Sequence, residues 1–115
     1  MNNCIDLATF EALKDSMGAD FIGELLAAYF EETPMLIATL EKSLAQQDCE
    51  TFQRAAHSIK STSNSFGALE FALNARELEM MGKEKNLSGA EGKVTALVLM
   101  YQDVKQVLET LNHGQ

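Results

Sequence analysis

The sequence predicts an all-α fold, an up-and-down antiparallel four-helix bundle with short additional N-terminal helices. Three observations favour this class: apolar residues recur at helical spacing along nearly the whole chain, no segment alternates with period two over a useful length, and proline occurs once in 115 residues. Short loops between amphipathic helices favour antiparallel neighbours. We assign residues 1–115 to a single domain, with N-terminal helices over about 6–32 and the bundle core over about 34–112.

Two short helices are expected before the core. Asp6 can cap the first helix, and Gly18 near its end is a stop signal. The apolar positions of this helix are Leu7, Phe10 and Leu13. A second helix is predicted from about Asp20, and one line along it holds Phe21, Leu25, Ala28 and Glu32. Because Thr33-Pro34 places a capping residue before a proline at a first helical position, we predict a break or kink there.

Four longer helices are predicted to form the bundle. The third should end near Gln47, with a leucine repeat at Leu36, Leu40 and Leu44. Asp48 can cap the fourth, which should end before Phe66 and has an inner face of Phe52, Ala56, Ile59 and Ser63. The fifth spans about 68–83, with a buried line of Phe71, Ala75 and Leu78. After a loop over 86–89, the last helix reaches about residue 111 with a stripe of Val94, Leu97, Val98, Tyr101, Val104, Leu108 and Leu111.

Composition and charge exclude several classes of function. The net charge is −8, with nine basic residues against seventeen acidic ones, so nucleic acid and anionic membranes are poor partners. All of the imbalance lies in residues 1–50, and an anion would meet less repulsion on the rest of the chain. The absence of a long apolar run or a signal peptide predicts a cytoplasmic protein. We expect Cys4 and Cys49 to be reduced thiols and the six methionines to fill the core.

No motif for a nucleotide or a metal is present in the sequence. The seven glycines form neither G-x-x-x-x-G-K-[ST] nor G-x-G-x-x-G. A di-iron bundle needs Glu-x-x-His pairs, but Arg54 stands three residues before His57 and Thr110 three before His113. We therefore predict no metal site and no cofactor bound by this chain.

His57 is the candidate reactive residue. It is two residues from Ile59 on the buried line, so it should face water on the opposite side of its helix. Its neighbours on that face are Gln53, Lys60, Ser61 and Asn64. A free imidazole is largely neutral at pH 7 and can attack phosphorus, and the Lys60 ammonium can offset nearby negative charge. The spacing alone is more typical of an ordinary surface histidine on an amphipathic helix than of a reactive one.

The segment from Ala56 to Ala68, AHSIKSTSNSFGA, resembles the signature of histidine-containing phosphotransfer (HPt) domains, which is roughly A-H-x-[IL]-K-G-x-[SA]-x-x-[LFI]-G-A. Leu78-Glu79 matches the Leu-Glu pair that follows in the family, and the stretch from Phe21 to Pro34 also fits. The resemblance covers most of the chain. It departs at Ser61, where most members have glycine.

The resemblance implies a role for each residue of the motif. His57 would accept a phosphoryl group on Nε2 from the aspartyl phosphate of a receiver domain and pass it to another receiver. Lys60 would screen the phosphoryl oxygens, and Glu79 would orient His57 through Nδ1. The residues expected to contact the partner are Gln53, Arg54, Ser61, Asn64 and Lys83. Gly67 would be structural, ending the histidine helix.

Partners and chemistry follow from the same resemblance. The partners would be receivers of response regulators or a hybrid histidine kinase, with Mg²⁺ supplied by the receiver and no kinase activity in this chain. The apolar part of the docking surface is expected beside the histidine and on the first helix, at Leu7, Phe10 or Leu13. We expect a monomer. Two alternatives stay open: a bundle that docks without being phosphorylated, and a kinase fragment whose His57 is phosphorylated by an ATP-binding domain elsewhere.

Overall fold

The computed structural model describes residues 4–114, with side chains described for residues 4–112. Within that range α-helices are the only regular secondary structure, which confirms the all-α prediction. The five helices are α1 (Leu7–Met17), α2 (Ala19–Gln46), α3 (Cys49–Ser65), α4 (Leu69–Lys83) and α5 (Ala90–Gly114). No helix in this range combines the length and apolar character needed to cross a membrane.

Helices α2 to α5 form the four-helix bundle. Each packs against the next along the chain, and α5 packs back on α2 to close the ring. The short helix α1 lies against α2 and α3. At 1.5 Å per residue, the 28 residues of α2 measure about 42 Å, the same as the longest dimension of the molecule. Helix α2 therefore spans the whole length of the fold.

The predicted signals at the helix ends are confirmed at three positions. Asp6 caps α1 by accepting a hydrogen bond from the Thr9 amide at 3.2 Å, and Asp48 caps α3 by accepting one from the Thr51 amide at 3.2 Å. Gly18 ends α1 with a φ of +93°, and its N–H donates to the Lys14 carbonyl at 2.8 Å. Short polar side chains and one glycine thus set these boundaries.

Of the break or kink predicted at Thr33-Pro34, the break is wrong, because α2 runs through both residues as one helix. Proline inside a helix removes one backbone hydrogen bond and costs about 3 kcal/mol. Packing outweighs this cost here: Tyr29, Thr33 and Ile37 are buried at helical spacing on either side of the exposed Pro34. One short N-terminal helix therefore replaces the two expected over 6–32, and the bundle begins near Ala19 instead of residue 34.

The core of the bundle matches the predicted inner faces of α3, α4 and α5. The fully buried side chains on these faces include Phe52, Ile59, Phe71, Leu78, Leu97, Val104 and Leu108. On α2 the buried line is Ile22, Leu26 and Tyr29, so the predicted line through Phe21 and Leu25 lies beside the core and not within it.

The methionines do not fill the core as predicted. Met17, Met35 and Met80 are 44%, 66% and 39% exposed, and Met81 and Met100 are half-buried. Met1 lies outside the described residues. The correction matters for function, because Met17 and Met35 lie on the surface next to the histidine helix.

Candidate functional site

The site depends on a close approach of α3 and α4 at Gly82. A Cβ atom at Gly82 would lie 2.9 Å from the carbonyl oxygen of Cys49 and 2.9 Å from Cβ of Gln53. Real Cβ atoms do not come so near, so only glycine lets the two backbones meet here. Gln53 is one turn before His57, and Glu79 is one turn before Gly82. The close contact therefore sets the two side chains against each other.

We expect Gly82→Ala to destabilise the protein by about 1–3 kcal/mol, because the added methyl group must push α3 and α4 apart. The measurement is urea unfolding of both proteins. Gly92→Ala is the matched control: Gly92 lies inside α5, and nothing lies within 4 Å of the position that an added methyl group would take, so this change should stabilise by about 0.5–1 kcal/mol. Equal effects of the two changes would contradict the close packing of α3 on α4.

His57 presents one ring nitrogen to Glu79 and leaves the other for chemistry. The histidine side chain is 56% exposed, and its Nδ1 lies 2.8 Å from Oε2 of Glu79. An ionised carboxylate can only accept hydrogen bonds, so Nδ1 carries the proton and donates it. In the neutral ring the available lone pair is then on Nε2.

Glu79 joins His57 to Lys60. The Lys60 Nζ lies 2.8 Å from Oε1 of Glu79, so each carboxylate oxygen has one cationic or donor partner. Burial raises the pKa of the Glu79 carboxyl, but the hydrogen bonds from Lys60 and His57, with the charges of both, outweigh burial and bring the pKa below its ordinary value. Glu79 is thus ionised at neutral pH and orients both residues.

The lowered pKa of Glu79 predicts a pH-dependent contribution to stability. A carboxyl whose folded-state pKa is below its unfolded value stabilises the fold above the unfolded value, here 4.5, and loses that contribution as the pH falls through the folded value. We therefore expect Glu79→Gln to flatten the fall in unfolding free energy between pH 6 and pH 3. Urea unfolding at several pH values measures this, with Glu31→Gln on exposed α2 surface as control. Parallel curves for wild type and Glu79→Gln would contradict the prediction.

The residues predicted to contact the partner differ in how exposed they are. Ser61 and Asn64 are exposed on the His57 side of α3, and Lys83 is exposed in the last turn of α4. Arg54 is exposed and lies 3.6 Å from Glu50. Gln53 is half-buried against Gly82, so it contributes more to helix packing than to an open surface.

An apolar groove next to the histidine helix was not predicted as such. It has a volume of about 390 Å³ between α1, α2 and α3, and its walls include Leu13, Met17, Leu25, Ala28, Thr62 and Ser65. A second depression of about 220 Å³ continues along α2, lined by Glu32, Met35, Leu36 and Ser58. The sequence signal for this groove was the line Phe21, Leu25, Ala28 and Glu32. A largely apolar line that lies beside the core, and not within it, has to face another surface.

Of the three apolar residues of α1 that were predicted to contact the partner, one lines this groove. Leu13 lines it, whereas Phe10 is 1% exposed and belongs to the core. Leu7 is 56% exposed but faces a different depression, beside Gly67 and Leu69. Phe10 is therefore removed from the predicted docking surface, whereas a contact of the partner with the exposed Leu7 stays a prediction. Among residues 4–112, no group of three or more His, Cys, Asp or Glu side chains is arranged to hold a metal ion.

Comparison with known proteins bears on the family and the fold of this chain. The family model described as Hpt domain matches residues 24–107. A pseudo histidine-containing phosphotransfer protein 2 of Oryza sativa subsp. japonica is 22% identical over 102 residues, covering 87% of this chain and 68% of that protein. The crystal structure of histidine-containing phosphotransfer protein B from Pseudomonas aeruginosa PAO1 superposes with a TM-score of 0.92 at 20% identity, covering 100% of this chain and 99% of that one. The fold of the two proteins is the same.

Proposed function

We propose that His57 is the phosphoacceptor of this chain. The chain belongs to the Hpt domain family and is thereby a phosphorelay intermediate of two-component signalling. The donor would be the aspartyl phosphate of one receiver domain and the acceptor the aspartate of another. The observation that carries the proposal is the pairing of an exposed imidazole with Glu79 through Nδ1, which leaves Nε2 unprotonated in the neutral ring.

The transfer itself needs one bond to form and one to break. The Nε2 lone pair of His57 attacks phosphorus, and the P–O bond to the receiver aspartate breaks with its electron pair going to the aspartate carboxylate. The ring gains positive charge while Nδ1 keeps its proton, and Glu79 at 2.8 Å stabilises that charge. Transfer onward is the same step in reverse, from phosphohistidine to the carboxylate of the next receiver.

Lys60 supplies the cation for the phosphoryl oxygens. Lys60 is one turn beyond His57 on α3, and its ammonium is paired with Glu79. The lysine is therefore already oriented when the phosphoryl group arrives. We propose that Mg²⁺ is held by the receiver and not by this chain, because positioning and charge stabilisation around the phosphoryl group are then shared between the two proteins. Ser61, in the place where most family members have glycine, lies one turn beyond His57 on the same helix.

We further propose that the chain is a phosphocarrier without kinase activity of its own, acting as a cytoplasmic monomer. Its sequence has no glycine-rich loop of either nucleotide-binding pattern. The imidazole is 56% exposed and not enclosed in a pocket, which suits transfer between proteins better than turnover of a small molecule.

A second candidate is a bundle that binds receivers without being phosphorylated. The name of the rice relative, a pseudo phosphotransfer protein, favours it. Against it stands the complete set of His57, Lys60 and Glu79 in contact, an arrangement for which docking alone has no use.

Phosphoryl transfer from labelled receivers separates the two candidates. Several purified receiver domains are phosphorylated with labelled acetyl phosphate in the presence of Mg²⁺, freed of donor and mixed with the chain. We expect acid-labile, alkali-stable label on the chain from at least one receiver. Tight binding of a receiver with no label at any time would replace the carrier with the docking-only bundle.

A further inference from the structure

We infer that Glu32 selects the partner: the receiver that docks here presents a lysine or arginine between apolar side chains, and this cation pairs with Glu32. The inference rests on the proposed function and names the chemistry of the surface that the partner must carry. It starts from the position of one carboxylate. Glu32 lines both the groove of about 390 Å³ and the depression of about 220 Å³, so it stands between two apolar hollows.

No cation in the described range neutralises the charge of Glu32. Glu32 is exposed, and its carboxylate has no ion pair or hydrogen bond with any residue in the described range. No lysine or arginine lines either hollow. The other side chains there are apolar groups and the hydroxyls of Tyr29, Ser58, Thr62 and Ser65, none of which carries a charge.

Both hollows border α3, the helix that carries the proposed phosphoacceptor. Ser58 and Thr62 on α3 line them, and these residues follow His57 by one and five positions. At 1.5 Å per residue, Thr62 is about 8 Å along the helix axis from His57. A partner interface of ordinary size covers about 800 Å² on each protein, so a receiver placed over His57 also covers Glu32.

Because a docked receiver covers Glu32, the charge of this residue determines which receivers can bind. A carboxylate buried under an apolar surface without a partner is strongly unfavourable, whereas one paired with a lysine or arginine is not. The two sides of His57 also differ in charge: Lys60 lies toward α4, and Glu32 lies on α2. The fitting receiver therefore places its acidic phosphorylation pocket over His57 and Lys60 and a cation over Glu32. Receivers without that cation are rejected by the buried charge.

The test uses the phosphorylated chain and a panel of purified receiver domains. Phosphoramidate, a small-molecule donor, loads His57 without a receiver, so loading is independent of docking. Second-order rate constants for transfer are then measured for wild type, Glu32→Lys and Glu31→Lys. Glu31 is the matched control, since it is an exposed glutamate on α2 that lines neither hollow. Equal melting temperatures show that all three proteins are folded.

We expect Glu32→Lys to load normally and to transfer roughly 10- to 30-fold more slowly to the receiver that wild type prefers, with Glu31→Lys within about twofold of wild type. Changing the receiver's lysine or arginine to glutamate should restore the rate with Glu32→Lys. Higher salt should slow wild type more than Glu32→Gln.

Three results would overturn the inference while leaving the proposed function in place. They are an unchanged rate for Glu32→Lys, an equal loss for Glu31→Lys, and a change in self-association on Glu32→Lys with transfer intact, which would make a second copy of this chain the occupant. If loaded wild type transfers to no receiver, the proposed function itself fails, and the inference fails with it.

Discussion

Replacing His57 with glutamine is expected to abolish phosphoryl transfer, by at least roughly 1,000-fold, while the fold and the binding of receivers stay as in wild type. Glutamine has an amide of similar reach but no nucleophilic lone pair on nitrogen. Because the His57 side chain is 56% exposed and outside the core, its loss removes little packing. Label transfer from a phosphorylated receiver, together with the melting temperature and a binding isotherm, measures all three properties.

His113→Gln is the control for this change, since it removes the second histidine of the sequence and should keep full label. Label that persists on His57→Gln would place the acceptor elsewhere. A His57→Gln protein that also loses receiver binding would show that the ring contributes to docking and not to chemistry alone.

Gly67→Ala is expected to destabilise the protein by about 2–4 kcal/mol, the largest stability change that the structure predicts for a single methyl group. Gly67 has a φ of +88°, where residues with a side chain are strained by about 1–2 kcal/mol. Its Cβ would also lie 2.6 Å from the backbone oxygen of Asp6. That contact cannot open freely, because the Asp6 N–H donates to the Gly67 carbonyl at 2.7 Å.

Gly89→Ala separates the two causes of this effect. Gly89 has a φ of +82°, but nothing lies within 4 Å of the position of its added methyl group, so it should lose about 1–2 kcal/mol from backbone strain alone. Urea unfolding of both variants gives the difference. Equal losses would show that the Asp6 contact adds nothing and would contradict the attachment of α1 to the end of α3.

The bundle helices could be predicted from the sequence because their apolar spacing is unambiguous. Phe52, Ile59 and Leu97 are buried where the pattern placed them, and the same pattern put His57 in water. Pro34 shows the limit of local signals. Thr33-Pro34 is a typical helix start, yet α2 stays continuous with Thr33 buried in the fold. The free energy of that packing cannot be predicted from a local sequence pattern.

The centre of the site was less accessible to sequence reasoning. Helical spacing links His57 to Lys60 on one helix, but nothing in the spacing brings Glu79 from another helix, and that expectation came from the family resemblance. Its distance from His57 depends on how closely α3 approaches α4, which Gly82 sets. The apolar groove was missed for a related reason: two apolar lines run side by side on α2, and only packing shows that Ile22 faces the core and Leu25 the groove.

The most direct test of the phosphocarrier function is to find out whether the phosphoryl group is on the atom that we propose. The chain is made with ¹⁵N-labelled histidine, phosphorylated by a receiver domain in the presence of Mg²⁺, and examined by NMR for coupling between ³¹P and the ring nitrogens. We predict coupling at Nε2 of His57, with Nδ1 still protonated beside Glu79. A phosphoryl group on Nδ1, on His113 or on a carboxylate would contradict this function for His57.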